Sequence, residues 1–271
     1  PLPLLPTQRK SAAVLSAYDD LIENNTRRIA VLEEMARALY REWFVDYRYP
    51  GHAGVALVDS PLGPIPAGWQ VCPIGEVIET LGGGTPSTAN VDYWMNGDVL
   101  WYSPTDLTSA GTMFVAGSAK KITQLGLKNT SARLFPAYSV MMTSRATIGV
   151  VAINTEQACT NQGFITLIPN ESLSVFQIYF WLHEMKDTII NLASGATFKE
   201  ISRGTFRKIL IPVPPKKITD MFAAQVMPTG NLIEDLIREN YNLRQTRDML
   251  LPKLVSGEVD VEGLAIVIED N

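Results

Sequence analysis

The segment MMTSRATIGVVAINTEQACTNQGFITLIP, residues 141–169, sets apolar runs against two polar breaks, TSRAT at 143–147 and TNQG at 160–163. Arg, Lys, Asn, Gln, Ser and Thr are the side chains that read base edges in a DNA major groove. Arg pairs in two-pronged geometry with guanine and Asn or Gln with adenine, each good pair giving about 1–3 kcal/mol of discrimination. The breaks supply Arg145, Gln162 and Asn161 as candidates for base edges, and Ser144 and Thr147 as candidates for phosphate or base edges. Lys199 and Arg203 suit the second role, and Thr85, Ser87 and Thr105 add to the set from two earlier loops. Ser, Thr and Asn also close turns by bonding nearby backbone. Turn chemistry therefore competes with the reading role, least so at Arg145 and Gln162.

The charge distribution favours an anionic ligand at this segment although the chain as a whole carries −5. A protein binds with a face rather than with its total charge. Residues 61–217 hold 12 Lys and Arg against 10 Asp and Glu, leaving 11 against 18 elsewhere. Between Asp106 and Glu156 there is no acidic residue, while Lys120, Lys121, Lys128, Arg133 and Arg145 all fall there. A second basic cluster, Lys199, Arg203, Arg207, Lys208, Lys216 and Lys217, is interrupted only by Glu200.

Catalytic signatures are missing. There is no G-x-x-x-x-G-K-[ST] loop, no G-x-S-x-G elbow, no H-E-x-x-H and no Asn/Asp-Pro-Pro-Tyr/Phe tetrapeptide of an amino-methyltransferase. LGGGTPS at 81–87 lacks the spacing of a dinucleotide loop, and Pro86 falls where a helix would begin, so a tight turn is expected. Cys72 and Cys159 have no partners at metal-ligand spacing and read as two reduced structural thiols. His52 and His183 read as surface or packing residues. No apolar run reaches the roughly 18–20 residues of a membrane span and the start does not read as a secretory signal, so a cytoplasmic, non-membrane protein is expected.

The elements that must hold these residues fall into three parts. Leu15, Tyr18, Ile22, Asn25, Ile29, Leu32, Ala36, Leu39 and Trp43 recur at alternating threes and fours, a heptad seam that predicts a helix over 15–48 stopped by YPGHAG. Ile233, Leu236, Asn240, Leu243, Arg247, Leu250 and Leu254 repeat the spacing and predict a second helix over 231–256. Each seam carries an Asn, which either fixes register from a buried position or sits at a wet edge. Between them, strand-like runs lie at 98–103, 138–142, 148–153 and 163–168, with helical periodicity at 174–193. A weak internal repeat aligns PLPLLPTQRKSAAVLSAYDDLIE with PVPPKKITDMFAAQVMPTGNLIE, Pro1 with Pro212, so residues 1–14 read as the remnant of a preceding repeat. Residues 216–230 read as a linker and 257–271 as an acidic tail.

Several blocks together resemble the DNA-specificity (S) subunit of Type I restriction–modification systems: SAYDDLIENNTRRIAVLEEMARALYREWFVDYRYPGH, LGPIPAGWQVCPIGEV, GGGTPST, WYSPTDL, TSRATIG, TNQGF, GATFKEISRGTFRKILIPVPP and LRQTRDMLLPKLVSGEVDV. The resemblance runs over nearly the whole chain; the first helix, IPAGW and LLPKLVSGE carry it most specifically. It implies an α+β chain with one mixed α/β target recognition domain, 61–215, plus two long helices forming an antiparallel coiled coil. Such subunits carry two recognition domains, each reading half of a split double-stranded DNA sequence, with the coiled coil setting the gap. This chain has one, as the C-terminal half of a longer subunit or a half-size subunit working in pairs would. The helices dock methyltransferase (M) subunits, which bring S-adenosylmethionine, and a restriction (R) subunit brings ATP and Mg2+; no cofactor is expected in this chain. Glu34, Arg37 and Arg41 are the candidates for partner contact. A homodimer through the coiled coil would read an inverted repeat.

A rival reading is a coiled-coil adaptor whose globular domain binds protein. The acidic total and the long helices motivate it, and the salt dependence of DNA binding separates the two.

Overall fold

A computed structural model describes residues 4–195 and 199–263. It divides into two compact units, one from the described parts of Pro1–Met35 and Thr229–Asn271, the other from those of Ala36–Pro228.

Two helices dominate the secondary structure, Leu5–Phe44 with 40 residues and Lys216–Ser256 with 41. At 1.5 Å per residue each is about 60 Å long. Both start earlier than the heptad seams predict. The stretch expected as a linker, 216–230, is helical despite Pro228 and Gly230, and so are residues 5–14, expected as a repeat remnant. Intrinsic propensity is overridden here by burial: Ile218, Phe222, Val226 and Ile233 lie at 8% exposure or less along one stripe. Pro6, in the first turn of the Leu5–Phe44 helix, costs little, because the N–H it lacks has no helical partner there anyway. The first helix also ends sooner than 48, at Phe44, and Tyr47 takes a left-handed φ of 58° that no helix continues through. Leu5 and Lys216 occupy the same place in the repeat that aligns Pro1 with Pro212.

In the first unit the helices pair antiparallel. Arg247 Nη1 donates to Asp19 Oδ1 at 2.6 Å, and Asn240 Nδ2 donates to Ile22 O at 3.4 Å and Thr26 Oγ1 at 3.3 Å, so ascending positions on one helix meet descending positions on the other. Ile22, Asn25 and Ile29 are buried on one side of the seam, and Ile233, Leu236 and Asn240 on the other. The two asparagines are therefore interior, not wet. Asn25 Nδ2 and Asn240 Oδ1 are buried without a partner among the described residues.

In the second unit the main sheet has five strands in the order Glu79–Gly82, Phe164–Ile168, Val140–Thr143, Val151–Asn154 and Phe114–Val115. Neighbours run antiparallel except the last pair, which is parallel. A second sheet sets Val99–Tyr102 between Ala158–Thr160, parallel to it, and Lys120–Ile122, antiparallel. Tyr102, Leu107, Phe135, Met141, Ala158 and Phe164 from both sheets and their connections form a common core. The helical stretch predicted at 174–193 is two helices, Val175–Glu184 and Lys186–Asn191. Ser174 opens the first through a capping box with Gln177. Phe222 packs against Tyr40, Trp43 and Phe44 with ring centroids 6.0, 5.7 and 4.8 Å away, joining the end of the first long helix to the start of the last.

Candidate nucleic-acid interface

Strand register collects the two polar breaks. Phe164 pairs with Thr143 and Ile165 with Gly82, so TSRAT leaving one strand, TNQG entering the next and the glycine run leaving a third emerge at one end of the main sheet. Parallel pairing of Thr160 with Tyr102 brings the start of the Pro104–Ala110 helix to the same end.

Backbone hydrogen bonds then tie these loops into a rim. Gly84 N–H donates to Thr160 O at 2.9 Å, Asn161 N–H to Tyr102 O at 2.9 Å, Ser144 N–H to Gly163 O at 2.8 Å and Ile201 N–H to Ser144 O at 3.0 Å. Ala146, at a left-handed φ of 60°, donates its N–H to Lys199 O at 3.2 Å.

The glycine run is not a tight turn. None of Gly82, Gly83 and Gly84 has a positive φ, and the chain stays extended past the strand. Glycine is required there by close approach: a Cβ on Gly83 would lie 2.0 Å from Asn161 O and 2.2 Å from Thr160 O, and one on Gly84 would lie 2.4 Å from Ser131 Oγ. Gly83 is a seat for the TNQG loop, and Gly84 lies against the 130–132 segment.

Most of the residues singled out by type come together here. Arg145, Thr147, Gln162, Lys199, Arg203, Thr85, Ser87 and Thr105 are exposed. Thr85 Oγ1 donates to Gln162 Oε1 at 2.6 Å, linking two of the expected loops directly. Two residues depart from expectation. Ser144 is 2% exposed, held inward by the backbone bonds on both sides of it, and cannot reach a groove. Asn161 is half-buried, and its Oδ1 accepts from Gly163 N–H at 2.8 Å, which is turn chemistry.

Acidic groups at the rim are occupied. Asp106 Oδ2 accepts from Ser103 N–H at 2.7 Å and Oδ1 from Ala119 N–H at 2.7 Å. Glu200, which reads in the sequence as a mere interruption of a basic cluster, holds Arg145: Nε and Nη2 of the arginine lie 3.0 and 2.7 Å from Glu200 Oε2. Its signal was its isolation among cations. Lys120 lies 5.8 Å from the centroid of the Trp94 ring, which itself stands edge-on to Trp101 at 5.1 Å; composition alone did not flag this pair.

On the helices, Glu34 is exposed, Arg41 pairs with Glu184 at 2.9 Å, and Arg37 is half-buried with its Nε lacking a partner among the described residues. Burial holds His183 down to about 4, helped by Arg37 and Lys186, so the imidazole is neutral near pH 7. Cys159 is buried and its thiol is pushed up to about 12, which leaves no thiolate for chemistry. Among the described residues no group of three or more His, Cys, Asp or Glu could hold a metal ion, and no helix is long and apolar enough to cross a membrane.

Residues 66–227 match the family model for the Type I restriction modification DNA specificity domain. The Type I restriction enzyme MjaIX specificity subunit of Methanocaldococcus jannaschii is 33% identical over 67% of this chain and 42% of its own length. The HindI specificity subunit of Haemophilus influenzae is 25% identical over 93% of this chain and 67% of its own. The Type-I restriction-modification system S subunit from M. genitalium has a TM-score of 0.63 at 15% identity, over 93% of this chain and 61% of that one, a likeness of fold. The chain thus spans under half the length of the first of these relatives.

Proposed function

Because the chain belongs to the Type I restriction–modification DNA specificity family, we propose that it supplies sequence recognition to such a complex, its rim reading one half of a split double-stranded DNA target. The observation that carries this is the collection of Arg145, Gln162, Thr147 and Lys199, exposed, on loops stitched together at one end of a sheet, with exposed Arg203 opening the short helix that follows. Backbone bonding fixes where the side chains start, and the pairing of Glu200 with Arg145 balances the carboxylate that lies among these cations.

In this reading the chain does no chemistry. Its long helices dock the methyltransferase subunits, which carry S-adenosylmethionine, and the restriction subunits with their ATP and Mg2+ join through them, in the cytoplasm. Two copies pairing through the helices would present two rims to an inverted repeat.

The test is selection from a randomised duplex library by the chain assembled with its methyltransferase subunit, followed by salt titration. One enriched half-site is expected, with log affinity falling on log salt by about 0.9 per phosphate neutralised. A flat salt response with no enriched sequence would favour the protein-binding adaptor.

A further inference from the structure

Arg145 and Glu200 form an ion pair on the rim, with side chains 45% and 36% exposed. As a stabilising contact an exposed pair contributes little, so its geometry is the informative part. Both arginine donors that meet the carboxylate, Nε and Nη2, come from one flank of the guanidinium and converge on a single oxygen, Glu200 Oε2. A guanidinium has five N–H groups in a fixed planar fork. With that flank engaged, the end edge, carrying one N–H from each Nη, has no partner among the described residues and stands as a parallel pair of donors.

The main chain of Glu200 is itself held on both sides. Glu200 N–H donates to Ser194 O at 2.9 Å, and Ser194 N–H donates to Glu200 O at 3.0 Å. Ile201 N–H reaches Ser144 O and Ala146 N–H reaches Lys199 O, so the residues flanking Glu200 are bonded to those flanking Arg145. Arg145 and Glu200 are partners in the backbone as well as at their tips.

We infer that Glu200 is a specificity-determining positioning residue, which holds Arg145 with its end edge outward so that it reads a single guanine. Of the four bases only guanine offers two adjacent acceptors, N7 and O6, to the major groove, and they match two parallel donors. The pairing also sets what Arg145 does not do. Its charge is balanced by the carboxylate, which weakens it as a phosphate anchor and leaves that role to Lys199 and Arg203. Glu200 therefore raises discrimination at one position while lowering general attraction to DNA.

This rests on the proposed recognition function, and the experiment separates the two. The full chain and its Glu200→Gln, Glu200→Ala and Arg145→Ala variants are each assembled with the methyltransferase subunit and used to select from a randomised duplex library. Affinity for the selected site and for unrelated duplex is measured alongside. Wild type should enrich one guanine that Arg145→Ala loses. Both Glu200 variants should lower the preference at that position alone by about fivefold or more, keep every other position and bind unrelated duplex more tightly. Near-ultraviolet circular dichroism of Glu200→Gln, which keeps the side-chain shape, checks the fold. An unchanged base preference in the Glu200 variants overturns the inference while leaving the function standing. An equal loss at all positions overturns it too, as the mark of a structural role. No enriched sequence in wild type overturns the function and the inference together.

Discussion

The hydroxyl of Thr85 donates to Oε1 of Gln162 at 2.6 Å across 77 positions of sequence. One lone-pair direction of the amide oxygen is thereby occupied, and the NH2 group of Gln162 is turned away from Thr85. We predict that Thr85→Val frees the amide to rotate and broadens the base preference at one position by about 1 kcal/mol, roughly fivefold. Selection from a randomised library checks this; a preference identical to wild type would remove Gln162 from the reading set.

Gly83 meets the opposing TNQG loop with no room for a side chain. A Cβ at Gly83 would lie 2.0 Å from one backbone oxygen and 2.2 Å from another, neither of which can swing aside as a long side chain could. Gly83→Ala should cost about 1–3 kcal/mol of stability and displace the TNQG loop, visible as a lowered melting temperature together with lost sequence preference. A variant that melts and reads like wild type would show that the two loops separate freely.

Ser144 is the control. Buried at 2% exposure, it has no path to a base. Ser144→Ala should leave the selected sequence unchanged, and an altered sequence would mean that the rim opens when DNA binds.

The helix pair carries two interior asparagines whose polar atoms are only partly matched. Asn25 Oδ1 lies 3.5 Å from Arg28 Nη1, while its Nδ2 is buried without a partner among the described residues. Replacing an unpaired buried amide by an apolar group of similar size tends to stabilise, and a buried asparagine at a seam is often retained for specificity of pairing. Asn25→Leu should raise stability by about 1–2 kcal/mol and broaden the oligomer distribution in sedimentation. Lower stability with a single sharp species would contradict this.

His183 gives a pH dependence of definite sign. Its folded-state value is depressed to about 4 by burial first and by Arg37 and Lys186 next, against roughly 6.5 in an unfolded chain. Its contribution is complete above about pH 6.5. As the pH falls from there toward 4 the unfolded state takes up a proton that the folded state refuses, and stability declines by up to about 1.4 kcal/mol per unit. Below 4 both states are protonated and the loss stops. Comparing His183→Gln with wild type by thermal melting across this range checks it, since the variant should lack that component of the slope.

What could be read from the sequence divides along physical lines. Strand cores such as Val99–Tyr102 and Phe164–Ile168 were legible because apolar runs bounded by turn formers have few other uses, and the heptad seams located both helices. The helix start at Lys216 was not, because Pro228 and Gly230 argue locally against a helix that burial of Phe222 and Val226 maintains. Residue type singled out Arg145, Gln162 and Thr85, and strand register brings their loops to one end of the sheet. It could not tell Ser144 from Arg145, since inward or outward direction depends on backbone bonds to Gly163 and Ile201, far away in the chain. Ion pairs were illegible for the same reason, and Glu200 looked like noise until its neighbour across 55 positions was known.

The stitches that hold the rim, from Gly84 to Thr160, Asn161 to Tyr102 and Ser144 to Gly163, are all made by peptide N–H and C=O groups. Every residue but proline carries both. Side chains on these loops can therefore be exchanged without cutting the threads, so that under the proposed function a substitution would change what the rim reads while its frame stays in place.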